Sequence, residues 1–370
     1  MNSTERLLGC LRGEQIDRVP ISTYELVGWD QRDWANSEPS YRRLMDFIRE
    51  HTDCMFATGV GVPNARAGEW NVSVERWDQG DQHIERRTIE APGRTLTTTT
   101  SHSDDIHTVW RREHPVKDLD DLAAWLDLPW APGEPDFSHL AYARGQLAGG
   151  RGLPVVSLSD PICDLAEAFE FSEFTIHAIT ETDAMVAALD RLHQRHLAEL
   201  DKILAGPVQD VIFRICGPEY ATPPYLGPEF FERFVTRYDS EYVRMIQQAG
   251  GFARIHCHGR TGRVIEHIEA MGPDAMDPLE PPPDGDISVA DLKARLGDRV
   301  CLMGGIELKH LEGSGEAFVE QLTRETIRAG KPGGRFVIMP TAAPINVPLS
   351  PQTEANYIRF IETALAEGRY

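Results

Sequence analysis

The sequence predicts an α/β fold, a (β/α)8 or TIM barrel with an antiparallel hairpin insertion between strands 2 and 3. Three observations carry this. Short apolar runs recur near residues 20, 54, 156, 213, 254, 276, 302 and 337, which makes eight. Helix-like stretches separate most of them, and such alternation of buried strands with helices argues a parallel sheet that closes on itself. Between the second and third runs, residues 70–112 are of another kind. The competing open sheet would need a glycine-rich dinucleotide turn after an early strand, and no Gly-x-Gly-x-x-Gly stands there. The expectation is one barrel domain over 1–370 with the hairpins, 70–112, inside it.

Taken in order, residues 3–13 read as a helix capped by Ser3 or Thr4, and Arg18 to Glu25 as a first strand ending in a carboxylate. A helical run over Tyr41–Ile48 precedes the strand at 53–58. In the insertion, Trp70–Trp77 and Ile84–Glu90 alternate, Pro92-Gly93 makes a turn, and Thr95–Thr100 is rich in β-branched residues. A capped helix from Pro115 to Trp125 and a proline-rich stretch, Pro129 to Pro135, follow. From residue 150 the rhythm is regular, with a long helix over Thr182–Leu204 and further helices at about 228–249, 261–271, 288–296, 314–329 and 351–366.

Composition narrows the function. With 41% hydrophobic and 26% charged residues the chain can bury a large core. Its net charge of −21, from 37 basic and 58 acidic residues, repels a phosphate backbone, so no nucleic-acid partner is expected. No apolar stretch approaches the ~18–20 residues of a membrane span, and Met1–Arg6 has no signal-peptide pattern. The expectation is a cytoplasmic protein with no membrane partner. The six cysteines have no Cys-x-x-Cys pair and read as reduced thiols.

The organising stretch is Phe252 to Gly262, a strand ending in His256-Cys257-His258-Gly259. Side chains alternate along a strand, which puts His256 and His258 on one face and Cys257 on the other. Two imidazoles on one face make half of a metal site or an acid/base pair. In a barrel the chemistry gathers at the carboxyl ends of the strands. There stand Glu25, Asp160, Cys216 with Glu219, His256 with His258, Asp277 with Glu280, Glu307 and Thr341. This ring suits a divalent cation or proton exchange better than a polyanion.

A zinc site takes three protein ligands when it is catalytic. His256 and His258 supply two, and Glu219, Glu280 or Glu307 a third. Glu307 is favoured because Gly304-Gly305 before it lets other groups approach the backbone. Cys216 and Cys301 compete, although Cys301 falls early in its strand and reads as core. Glu25, Asp160 and Glu280 are the candidate catalytic carboxylates, Glu25 or Asp160 positioning a polar substrate. Asp160, before Pro161, also reads as a helix cap, and Asp164 as a first-turn acid.

The order of elements and the motifs resemble the uroporphyrinogen decarboxylase superfamily, a (β/α)8-barrel group that also contains cobalamin-dependent methyltransferases. The most specific parts are Ile255-His256-Cys257-His258-Gly259, Met271-Gly272-Pro273-Asp274-Ala275 with Asp277-Pro278, Leu302-Met303-Gly304-Gly305-Ile306-Glu307, and Gly333 to Ile338. The hairpin insertion with Pro92-Gly93 looks like the methyltransferase branch. The decarboxylase branch carries an arginine-rich segment after the first strand. Here Ser22 to Asp30 holds no arginine, so acidic walls would meet a tetrapyrrole's carboxylates. The methyltransferase branch binds zinc through a His-x-Cys pair and a later Cys. This chain keeps His256, has His258 at the first cysteine position, and has Pro340-Thr341-Ala342-Ala343 where the later one is expected. Two histidines and a carboxylate make a harder site, suited to polarising an oxygen-bearing ligand.

The resemblance thus implies a metal-dependent methyltransferase-like enzyme, transferring or removing the methyl group of a small molecule, with zinc or another divalent metal and a corrinoid supplied by a partner protein. A homodimer is implied in the same way. The alternatives are a decarboxylase or lyase acting on a small organic acid through the two histidines as acid/base groups, and a ligand-binding barrel without catalysis.

Overall fold

A computed structural model describes residues 1–370. Its strands are β1 (Cys54–Thr58), β2 (Asn71–Gln79), β3 (Gln82–Ala91), β4 (Arg94–Ser103), β5 (Ile106–Glu113), β6 (Gly152–Ser159), β7 (Ile212–Cys216), β8 (Phe252–His256), β9 (Ala275–Leu279), β10 (Cys301–Ile306) and β11 (Phe336–Pro340). Seven form one sheet in the order β1-β6-β7-β8-β9-β10-β11, every pairing parallel. Helices connect the members from β6 onward, which is what parallel neighbours require.

The expected first strand, near residue 20, does not form as a regular strand. It is a single parallel bridge between Ile21 and Ile338. Ile338 N–H donates to the Pro20 carbonyl, Ser22 N–H to the Ile338 carbonyl, and Asp53 N–H to the Ile21 carbonyl. The segment is thereby bonded to β11 on one side and to the entry of β1 on the other. Two features keep it short: Pro20 has no N–H to give a ladder, and Tyr24 turns the chain with a φ of 56°.

The insertion is a separate four-stranded antiparallel sheet, β2-β3-β4-β5, lying in sequence between β1 and β6, where the hairpins were expected. Pro92-Gly93 joins β3 to β4 with Gly93 at φ 74°, a conformation that favours glycine.

Alternate residues of the parallel strands meet in one apolar core, including Met55, Val155, Ile212, Met303, Val337 and Met339. Leu7, Cys10 and Leu11 of the first helix, Ser3–Arg12, join that core, and so does Cys301, as expected for a residue early in β10. The helix is capped by Asn2, not by Ser3 or Thr4, because the Asn2 side chain reaches the Glu5 N–H while Glu5 answers to Asn2 N–H. A larger core lies where Phe213, Ile255, Leu302 and Ile338 of the strands meet the surrounding helices. The helices Thr182–Leu204 and Pro351–Glu367 fall within a residue of their expected limits. No helix is long and apolar enough to cross a membrane.

Candidate active site

The site is built where β7, β8 and β9 end together. Register pairs Arg214 with Arg254, Cys216 with His256, and His256 with Asp277. Alternation puts Arg254 and His256 on one face of β8, as it puts Arg214 and Cys216 on one face of β7. His256 donates from Nδ1 to Asp277 Oδ2 over 3.0 Å, and Arg254 Nε lies 2.7 Å from Asp277 Oδ1 as an ion pair without hydrogen-bond alignment. All three side chains are buried. Burial alone would push the Asp277 carboxyl up, but Arg254, His256 and Arg214 overrule it and hold it at about 2.

His258 lies just beyond β8, yet its ring centroid is 4.8 Å from that of His256, edge to face at 87°. Its Nδ1 stands 2.8 Å from Glu280 Oε1, and the Gly259 N–H donates to Glu280 Oε2, also at 2.8 Å. Burial works against a charge on His258, and the hydrogen bond and charge of Glu280, helped by Glu219 and Asp277, raise its pKa nonetheless. Neither imidazole uses Nε2 in a hydrogen bond within the chain. Cys257 turns to the other side, buried, with Sγ 3.1 Å from Thr222 Oγ1 and its thiol pushed well up by burial.

The carboxylates singled out in the sequence fall in different places. Glu307 follows β10, is 8% exposed, and accepts from Thr341 Oγ1 on Oε2 while Oε1 has no partner. Burial, with Glu280 and Asp284 nearby, pushes its pKa up to about 7. The glycines before it act as argued: a Cβ on Gly304 would stand 2.4 Å from the Leu279 nitrogen. Glu219 accepts from the Gly217 N–H at 3.1 Å and makes its charge felt at His258. Glu25 is half exposed and accepts from Arg214 Nη1 at 3.1 Å. Asp160 is fully buried. Its Oδ1 caps the helix Pro161–Ala168 through the Cys163 N–H at 2.7 Å, and a Cβ on Gly217 would press to within 1.8 Å of it. Its role in the fold is that cap.

Three residues at the site were not singled out beforehand. Arg254 ties down Asp277. Arg214 donates to the Tyr24 hydroxyl, to Glu25, and through Nε to Ser157 Oγ, each at 3.1 Å. The Tyr24 ring lies 6.3 Å from that of His256. The spacing Arg254-x-His256 on a strand was a legible signal. Tyr24, held by a turn, had none.

These donors fit a divalent metal in part. Metal-bound histidines typically donate their second nitrogen to a carboxylate, which fixes the ring and the tautomer, and His256 and His258 both do so. A third donor is not in place, for no three His, Cys, Asp or Glu side chains are gathered as a ready ligand set. Glu280 has both oxygens engaged, whereas Glu307 Oε1 is the unpartnered acceptor. Cys216 is a protonated thiol, pushed up to about 12 by burial.

A parallel sheet with helical crossovers, its polar groups gathered past the carboxyl ends of the strands, defines an α/β fold of the kind that carries enzyme sites there. The model of the uroporphyrinogen decarboxylase (URO-D) family matches residues 166–362, and the chain belongs to that family. Among solved structures, a methyltransferase from Methanosarcina mazei shares the fold over 99% of both chains, with a TM-score of 0.60 at 15% identity. A probable ornithine cyclodeaminase from Bordetella pertussis Tohama I aligns over 81% of this chain and 87% of its own at 11% identity, but its TM-score of 0.15 carries no structural weight. No curated protein matches the chain.

Proposed function

We propose that this chain is a methyltransferase-like enzyme that transfers or removes the methyl group of a small molecule bound past the ends of β7 to β10, in a barrel closed by the Pro20–Ser22 segment as its eighth unit. The observation that carries the reading is the pair of imidazoles 4.8 Å apart, each with Nδ1 on its own carboxylate and Nε2 uncommitted. His256 and His258 are the residues that would hold zinc or another divalent ion. When bound, such an ion supplies Lewis acidity to an oxygen-bearing substrate.

The chain's own groups do the rest. Asp277 keeps the His256 ring in one orientation, and Arg254 keeps Asp277 ionised. Glu280 does the same for His258. An ether or thioether that loses its methyl group to become an alcohol or thiol takes up a proton, and an alcohol or thiol that gains one gives a proton up. Glu307, held near neutral in its pKa, is suited to both. Glu25 and Arg214 present a polar rim to the substrate. A corrinoid protein as methyl donor or acceptor is supported by the motif resemblance.

The test is methyl transfer from a panel of small O-, N- and S-methyl compounds to cob(I)alamin, read as the absorbance of methylcob(III)alamin. Product that disappears in His256→Ala supports the proposal. A second reading, a decarboxylase or lyase, is favoured by one observation: a His258 whose pKa is raised is a proton donor without any metal. Release of CO2 from small acids, undiminished by a chelator and with no methylcobalamin formed, would establish it instead.

A further inference from the structure

Above the apolar floor of the parallel sheet, the side chains that face the same way become polar. Alternation puts Ser157 over Val155 on β6, Arg214 over Ile212 on β7, and Arg254 over Phe252 on β8. Register sets Ser157, Arg214 and Arg254 side by side. Two guanidiniums on adjacent strands need two counter-charges, and these are supplied differently. Arg254 is buried and has the buried Asp277 at 2.7 Å. Arg214, with 14% of its side chain exposed, has only Glu25, which is half exposed and reaches it through one oxygen at 3.1 Å.

A guanidinium that serves the fold looks otherwise in this chain. Arg6 grips both oxygens of Asp17, Nε to Oδ1 at 2.7 Å and Nη2 to Oδ2 at 2.8 Å, the bidentate fork that makes such pairs strong. Arg214 is steered by neutral groups instead. Its Nε donates to Ser157 Oγ and its Nη1 to the Tyr24 hydroxyl, and its guanidinium carbon lies 5.5 Å from the Tyr24 ring centre. Nη2 makes no hydrogen bond within the chain, Glu25 Oε2 accepts none, and the Tyr24 hydroxyl accepts from Arg214 without donating onward. An ion pair with an exposed partner contributes little, so Glu25 is readily replaced. Ser157 is exposed, which leaves this layer open beside the fork. Tyr24 joins it to the histidine pair, with its ring 6.3 Å from that of His256.

We propose that the small molecule handled at this end of the sheet is a monocarboxylate. Its carboxylate displaces Glu25 and accepts from Nη1 and Nη2 of Arg214, with the Tyr24 hydroxyl as a further donor, while the rest of the molecule extends towards His256 and His258. This names a substrate class for the histidine site and rests on that site being where the substrate binds. It holds whichever reaction follows. A second carboxylate would find no free guanidinium, because Arg254 is committed to Asp277.

Calorimetric titration of the full chain with sodium acetate, methoxyacetate, benzoate and 4-methoxybenzoate, each beside its neutral amide, tests this. At least one carboxylate should bind saturably, and its amide about tenfold more weakly or worse, the difference expected of charge-assisted hydrogen bonds. Arg214→Gln should weaken that carboxylate by a similar factor. Tyr24→Phe should weaken it as well, and it carries the test if the Arg214 variant does not fold. Glu25→Gln, which removes the competing carboxylate, should tighten binding. The His256→Ala, His258→Ala double variant should still bind, since complete loss there would put the carboxylate on a metal ion or the imidazoles and overturn the proposal. No saturable binding by any of the four, amides that bind equally well, unchanged affinity in both Arg214→Gln and Tyr24→Phe, or an affinity not raised in Glu25→Gln would overturn it too. Binding is read here without turnover, so a protein that binds carboxylate and transfers no methyl group would count against the proposed reaction alone.

Discussion

His258 Nδ1 stands 2.8 Å from Glu280 Oε1, and the other oxygen of that carboxylate is fixed by the Gly259 N–H. One side chain therefore sets the tautomer, the ring orientation and the charge of the histidine. Glu280→Gln keeps the shape and removes the charge. It should lower the His258 pKa and reduce turnover by roughly ten- to a hundredfold, the usual cost of removing the partner that orients a functional histidine. A histidine titration by NMR, read beside the rate, checks both; an unmoved His258 pKa would contradict the assignment.

Asp277 answers to two partners at once, the Arg254 guanidinium at 2.7 Å and His256 Nδ1 at 3.0 Å, in a place with no exposure. Asp277→Asn leaves a buried guanidinium without its counter-charge and should cost on the order of 3–5 kcal/mol in denaturant unfolding. The wild-type carboxyl has a folded pKa below its unfolded one, so the stability it contributes is present above the ordinary carboxylate pKa of about 4. That contribution is lost as the pH falls towards about 2. The variant should lack this part of the acid-induced loss.

Glu307 has the opposite sign. Its folded pKa, about 7, lies above the value of 4.5 for a free glutamate, so the folded state binds the proton more tightly and stability declines as the pH rises between the two. Glu307→Gln should raise the melting temperature at pH 8 and change it little at pH 4. Equal shifts at both would show that the carboxyl is not held as described.

Much of the fold was legible because buried parallel strands announce themselves as apolar runs, and the insertion as β-branched alternation. The first strand was overread. Apolar character placed the chain between β11 and β1 but could not supply the N–H that Pro20 lacks. The histidine pair and Glu280 were legible from alternation and from position at strand ends. What one strand shows is only its own order, so the partnership of Asp277 with His256 and Arg254 awaited the register of β8 against β9. Asp160 showed the limit from the other side. At a strand end it looked available for chemistry, and the helix cap expected of it is what the structure builds.

Gly217 records how tightly that cap is covered. At φ 138° and with no room for a Cβ beside Asp160 Oδ1, Gly217→Ala should destabilise by at least the roughly 1–3 kcal/mol of backbone strain alone. Urea unfolding of the variant measures it, and a change within about 0.5 kcal/mol, ordinary for a neutral surface substitution, would contradict the packing described.

In the proposed function His256 and His258 together hold the metal ion. The direct measurement is elemental analysis of the chain purified without affinity tag or chelator, beside the His256→Ala, His258→Ala double variant. About one equivalent of zinc or another divalent ion is expected in the first and none in the second, as for a mononuclear site. Wild-type protein that is free of metal and cannot be loaded, or a double variant that retains its metal, would contradict it.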